Sequence, residues 1–109
     1  MSVKILIDQF REVREWNQFH NEKDLAISIS LEASALLECF QWKTSEEAKE
    51  SKLNAIKEEL ADVLIYSYMM ASTLGVDVDD LIVDKLKINN EKYPVEKAKS
   101  KKLKYTEYE

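Results

Sequence analysis

Glycine, proline, cysteine and histidine each occur once in this chain of 109 residues. A single glycine (Gly75) and a single proline (Pro94) leave little room for tight hairpins, and with Glu, Lys, Leu and Ala abundant the inference is helix. A lone Cys39 rules out an intrachain disulfide and fits a reducing, cytoplasmic setting. Positive charge is in deficit: the net charge of −5 argues against a general nucleic-acid-binding surface. It still permits a small anionic ligand, because a bound cation inverts the local field. A membrane span is also missing. The uncharged stretch VLIYSYMMASTLGV at 63–76 is shorter than the ~20 apolar residues a span needs and reads as a buried helix. The opening MSVKILIDQFREVREW turns charged too early for a secretory signal.

What the chain does have is apolar content, 45%, enough for one core and against wholesale disorder. A domain of this size buries only about 60–70% of its unfolded surface, so completion of the core by oligomerisation is expected. The pattern predicts four helices. The first runs from about Ile5 to Phe19, with Phe10, Val13 and Trp16 or Asn17 on one side. The second runs from about Lys23 to Gln41, with Ile29, Leu36, Leu37 and Phe40 as core candidates. Thr44 and Glu47 fit a capping box, and the polar piece 45–52 is left as short helix or loop. The third helix carries Leu53, Ile56, Leu60, Val63, Ser67, Met70 and Leu74 at 3-and-4 spacing and stops at Gly75. Met69 and Met70 are expected in the core or a subunit interface. Asp77 opens the fourth helix, which ends near Tyr93 ahead of Pro94. The division is a helical domain over 1–94 and a charged tail over 95–109, in which Leu103, Tyr105 and Tyr108 are able to dock.

The chemistry lies in the acids. Glu59 and Asp62 stand at i and i+3 and share a helix face, with Tyr66 four residues on. Glu32 and Glu38 lie on a helix expected to pack antiparallel to them. Acids directed into one groove repel, by about 4 kcal/mol for a pair 4 Å apart at an effective dielectric near 20, and a cation relieves this. The i+3 partners of Glu32 and Glu59 are Ala35 and Asp62, not histidine, so a Glu-x-x-His di-iron site is disfavoured. Oxygen ligands suit Mg²⁺, or Mn²⁺, which commonly takes further oxygens from a substrate phosphate. Alone, an E-x-x-D on a helix is usually a solvated face.

The segments WNQFH (16–20), LECFQWK (37–43), EELADVLIY (58–66), KINNEKYP (87–94) and KYT (104–106) together resemble the MazG-like all-α nucleotide pyrophosphohydrolases, most closely the dCTP pyrophosphatase branch. The resemblance implies a four-helix-bundle-type domain that assembles as a homotetramer. It also implies cleavage of a (d)NTP, dCTP or a modified cytosine nucleotide, to the monophosphate and pyrophosphate with Mg²⁺. The family pattern is E-x-x-E on one helix and E-x-x-D on the next. Glu32, Glu59 and Asp62 match metal ligands, and Ala35 falls where the remaining Glu belongs, so impaired turnover is expected. An alanine introduced to trap substrate explains the departure best. The alternative is a natural alanine with Glu38 taking a share, although Glu38 is about 240° round the helix from Glu32. The resemblance further assigns Trp16 and Trp42 to base stacking and His20 to the base. Tyr66, Lys85, Asn89, Lys92 and Tyr93 go to the phosphates, and Lys104 and Tyr105 to a tail motif. Two alternatives stay open: a nonenzymatic helical assembly or regulatory module, supported by Ala35, and a phosphoribosyl-ATP pyrophosphatase-like enzyme.

Overall fold

The computed structural model describes residues 2–99, and among them every regular element is helical. The elements are α1 (Val3–Val13), a 3-10 turn (Trp16–Gln18), α2 (Glu22–Glu38), α3 (Ser45–Leu74), α4 (Val78–Lys92) and the short α5 (Val95–Ala98). They fall into two compact units, one ending at Gly75 and the other beginning at Val76.

Local chemistry starts each long helix. Ser2 accepts from the Ile5 amide at 3.2 Å, Asn21 from Asp24 at 2.8 Å and Asp77 from Asp80 at 3.0 Å. At α3 the capping box is complete: Thr44 Oγ1 accepts from the Glu47 amide at 3.1 Å, and Glu47 Oε1 accepts from the Thr44 amide at 3.0 Å. Gly75, at φ 70°, ends α3 in the left-handed conformation that glycine adopts without a Cβ penalty. The polar piece 45–52 proves to be the first turns of α3. A kink at Lys52 (φ −128°) separates it from the rest, and Ala48 is fully buried there.

In the first unit α2 packs along α3, and α1 lies against α3. The core joins Ile7, Leu25 and Met69, with Ile65, Tyr66, Tyr68 and Met70 packed around it. Leu25 is only 1% exposed, and full burial of such a side chain contributes roughly 1.5–3 kcal/mol. Early α2 (Leu25) meets late α3 (Met69), while later α2 (Glu32) meets earlier α3 (Glu59, Asp62). The two helices are therefore antiparallel, as expected.

Several expectations need correction. The first helix stops at Val13, not Phe19, and Glu15 at φ 54° turns the chain into the 3-10 turn. The turn folds residue 20 back toward the helix. Arg11 Nε donates to His20 Nδ1 at 3.2 Å, whereas nine residues of continuous helix would hold those positions about 13.5 Å apart. The second helix stops at Glu38, and residues 39–42 form turns. Val13, at 77% exposed, and Leu37, at 71%, lie outside the core, and Phe10 is also exposed. Periodicity finds an apolar face without saying what covers it. On α4, the described side chains of Leu81, Ile82, Val83, Leu86 and Ile88 are each about half-exposed, and none is buried.

Candidate functional site

Glu59 and Asp62, one helical turn apart on α3, project toward Glu32 on α2. One carboxylate oxygen from each of the three lies within 4.8 Å of the others. All three residues are half-buried. Glu59 Oε2 is sealed from solvent and has no hydrogen-bond partner among the described residues. The pKa of Glu59 is raised above its ordinary value. The largest cause is a side-chain hydrogen bond with Glu32, which two ionised acids cannot make; loss of water around the carboxyl and the adjacent Glu32 charge add to it. The ion pairs Lys4–Asp8 and Lys49–Glu46 lie elsewhere and involve none of these acids. A sealed oxygen without a donor, in an all-oxygen set, fits a hard divalent cation.

Ala35 is half-buried, one turn beyond Glu32 and on the same face, and its carbonyl accepts from Cys39 Sγ at 3.6 Å. It brings no oxygen ligand from its side chain. Glu38 stays outside the cluster: it is exposed and lines a separate groove with Leu37 and Phe40. That placement disfavours Glu38 as a replacement ligand. Tyr66, one turn beyond Asp62, packs against the core.

The aromatic candidates are in different settings. Trp16 meets Phe10 edge-on at 5.4 Å between centroids and His20 at 6.0 Å. Trp42 is 93% exposed at φ 64° and has no ring partner among the described residues. A bulky residue in that backbone region is an outlier costing of order 1–3 kcal/mol, and such strain concentrates at ligand-contacting positions. Lys85, Asn89 and Lys92 occupy one stripe of α4 at i, i+4 and i+7, and Tyr93 caps the helix with its amide donating to the Asn89 carbonyl at 2.8 Å. Lys104 and Tyr105 lie outside the described residues.

Sequence reasoning missed Arg11. It is 4% exposed, holds His20 and lines a cavity of about 360 Å³ between α1, the 3-10 turn and the end of α3. An arginine four residues after the buried Ile7 was the available signal, since that spacing returns it to the core-facing side. The His20 pKa is lowered, chiefly by desolvation and then by the Arg11 charge.

The fold and the carboxylate cluster define an all-α protein with a candidate divalent-metal centre between two antiparallel helices. The chain belongs to the MazG-like family, whose model matches residues 27–108. It is 36% identical over 110 residues to dCTP pyrophosphatase 1 of Homo sapiens and 33% identical to that of Mus musculus, in each case across 96% of this chain. The chain spans 65% of the length of these relatives. A solved pyrophosphatase structure from Archaeoglobus fulgidus DSM 4304 is similar with a TM-score of 0.76 and 36% identity, covering 82% of this chain and 86% of that one. Among the described residues, no helix is long and apolar enough to cross a membrane.

Proposed function

We propose that this chain is a cytoplasmic nucleoside triphosphate pyrophosphohydrolase that converts a (d)NTP, dCTP or a modified cytosine nucleotide, to the monophosphate and pyrophosphate. The single observation that carries this reading is the convergence of Glu32, Glu59 and Asp62 within 4.8 Å, with Glu59 Oε2 sealed and unpartnered. The names of the relatives supply the substrate class.

Glu32, Glu59 and Asp62 would hold Mg²⁺ or Mn²⁺. The ion would neutralise phosphate charge and acidify an attacking water. The raised proton affinity of Glu59 competes with the cation, so metal binding should weaken as the pH falls. Trp42, already exposed, and Trp16 offer ring faces for a base. Tyr66 brings a hydroxyl near the acid stripe, and Lys85, Asn89, Lys92 and Tyr93 form a polar, cationic end of α4 suited to phosphate. Position 35 has no carboxylate with which to orient or deprotonate water, so this sequence binds better than it turns over. The half-exposed apolar residues of α1 and α4 support a homo-oligomer, a tetramer by family resemblance.

The test is a nucleotide panel assayed for pyrophosphate release with Mg²⁺ and Mn²⁺, alongside calorimetry of nucleotide binding. Mg²⁺-dependent binding of a cytosine triphosphate is expected. Absence of any metal-dependent nucleotide binding would favour the assembly-module reading, for which Ala35 is the specific support.

A further inference from the structure

The turn that follows α1 is fastened to that helix by very little. Among the described residues, one hydrogen bond joins α1 to residues 16–20, from Arg11 Nε to His20 Nδ1 at 3.2 Å. The other ties are ring contacts. Trp16 meets Phe10 edge-on at 5.4 Å, and the Arg14 guanidinium lies 3.8 Å over the Phe10 ring. The remaining hydrogen bonds of the turn stay local. The Phe19 and His20 amides donate to the Trp16 carbonyl, and Gln18 Nε2 donates to the Glu15 carbonyl. Glu15, at φ 54°, holds a left-handed conformation that is unfavourable for a residue with a Cβ, so the turn relies on a tie from outside it.

That tie carries a chemical condition. Arginine keeps its proton at any pH a protein meets, so Nε only donates. His20 Nδ1 must then accept, and the proton of the neutral ring sits on Nε2. An imidazolium bears protons on both nitrogens and has nothing left to accept with. Protonation of His20 therefore opposes donor to donor. It also sets a second positive charge beside Arg11, which is 4% exposed and belongs to neither the Lys4–Asp8 nor the Lys49–Glu46 pair. We propose that Arg11 is a positioning residue whose bond to His20 is a proton-operated latch. Neutral His20 keeps the turn that carries Trp16 closed on α1, and protonated His20 releases it.

The surroundings leave the latch to these two groups. The other charged side chains on the cavity wall shared by Arg11 and His20 are Lys4, Asp8 and Glu12, all from α1. The turn adds uncharged Asn17, and α3 adds Ser72 and Thr73. Asp8 is occupied, by Lys4 Nζ at 2.7 Å and Ser72 Oγ at 3.0 Å. Glu12 is exposed, so solvent screens its charge. The His20 pKa is lowered, first by desolvation and then by the Arg11 charge, which is the direction a closed latch requires. Resting on the pyrophosphohydrolase reading, the latch poses Trp16 and His20, both assigned to the nucleotide by resemblance, and Arg11 acts through them.

His20 is the only histidine, so its ring signals are unambiguous. In full-length protein free of metal and nucleotide, NMR spectra are followed as the pH is lowered from about 7.5. The Trp16 indole N–H and the amides of the turn should shift together with the His20 ring, at one midpoint below 6.5. His20→Gln should hold the Trp16 and turn signals at their closed positions throughout, because its carbonyl accepts from Arg11 and does not titrate. Arg11→Lys, which keeps a cationic donor, should retain the coupled transition. Arg11→Met should lose it, with His20 titrating at a higher pH and Trp16 already at its open position at pH 7.5. A His20 ring that titrates in the parent while Trp16 and the turn amides stay still would overturn the proposal with the unaltered protein alone. Trp16 signals that follow pH in His20→Gln as they do in the parent would overturn it equally. Calorimetry with a cytosine nucleoside triphosphate and Mg²⁺ at pH 7.5 is the separate arm. No binding there, with ring and indole titrating together, removes the pyrophosphohydrolase reading and leaves the latch; binding without the coupled titration removes the latch and leaves the reading.

Discussion

The two ends of the first unit handle charge in opposite ways. At the acid end, Glu32, Glu59 and Asp62 bring carboxylate oxygens within 4.8 Å of one another, and neither the Lys4–Asp8 nor the Lys49–Glu46 ion pair involves them. At the Arg11 end, Lys4 is already matched to Asp8, and Arg11 is tethered to a neutral acceptor. The helices that build both ends share the Ile7–Leu25–Met69 core and carry side-chain caps at their N-termini. The contrast is between like charges held together and a charge held by a neutral partner. The acids form a set that could hold a cation, whereas Arg11 is already tethered to His20.

The sharpest way to test the acid end is to complete it. Ala35 shares the Glu32 face, and alanine and glutamate are both good helix formers, so Ala35→Glu should leave the fold unchanged. Restoring a group able to help deprotonate water should raise the rate by about 10²- to 10⁴-fold in a pyrophosphate-release assay with Mg²⁺. An unchanged rate would mean that position 35 does not reach the reacting centre.

Next in size is the metal itself. Mg²⁺ at a hundredfold excess over its Kd should stabilise the protein by about 2.7 kcal/mol, read as a higher melting temperature. Glu59→Gln removes one negative charge and should weaken that response, with a loss of roughly 10- to 100-fold in affinity. The same change should leave the metal-free protein at least as stable, because an amide can donate to Glu32 as a protonated Glu59 does. A metal-free variant that melts well below the parent would show that the acids are held by the chain after all, and the contrast between the two ends would collapse.

How much of this could be read beforehand depended on how local each signal was. Thr44, Glu47 and Gly75 announced the ends of α3 because capping chemistry is written within four residues. Glu32, Glu59 and Asp62 were legible from i, i+3 spacing together with the resemblance, and the structure brings them together. The piece 45–52 was undecided because it has almost no apolar periodicity, and its helix rests on the cap and on buried Ala48. The early stop of α1 has no local signal such as glycine or proline: the break comes at Glu15, in the left-handed region, and accompanies the Arg11–His20 contact, which no periodic pattern encodes. Leu37 is a core candidate, and Phe10 and Val13 share one side of the first helix, because they are apolar at helical spacing; all three are exposed, since spacing carries no information about what packs on a face.

The smallest expected effect separates the two ends by the sign of their pH response. His20 has a pKa below 6.5 in the folded protein, first from desolvation and then from the Arg11 charge. The unfolded chain therefore takes up a proton before the folded one does. The corresponding stability is intact above pH 6.5 and is lost as the pH falls through the lowered folded value. Glu59 leans the other way. Its folded pKa is raised above 4.5, so in metal-free protein its contribution is complete below pH 4.5 and is lost as the pH rises through the raised value. Thermal melts from pH 7.5 down to 5.5 should thus show a loss that His20→Gln abolishes, since glutamine does not titrate and its carbonyl can still accept from Arg11. The Glu59 contribution should be the part that Mg²⁺ reverses. A His20→Gln melt profile as steep as that of the parent would assign the acid-side loss to other groups and leave the Arg11 end without a titrating partner.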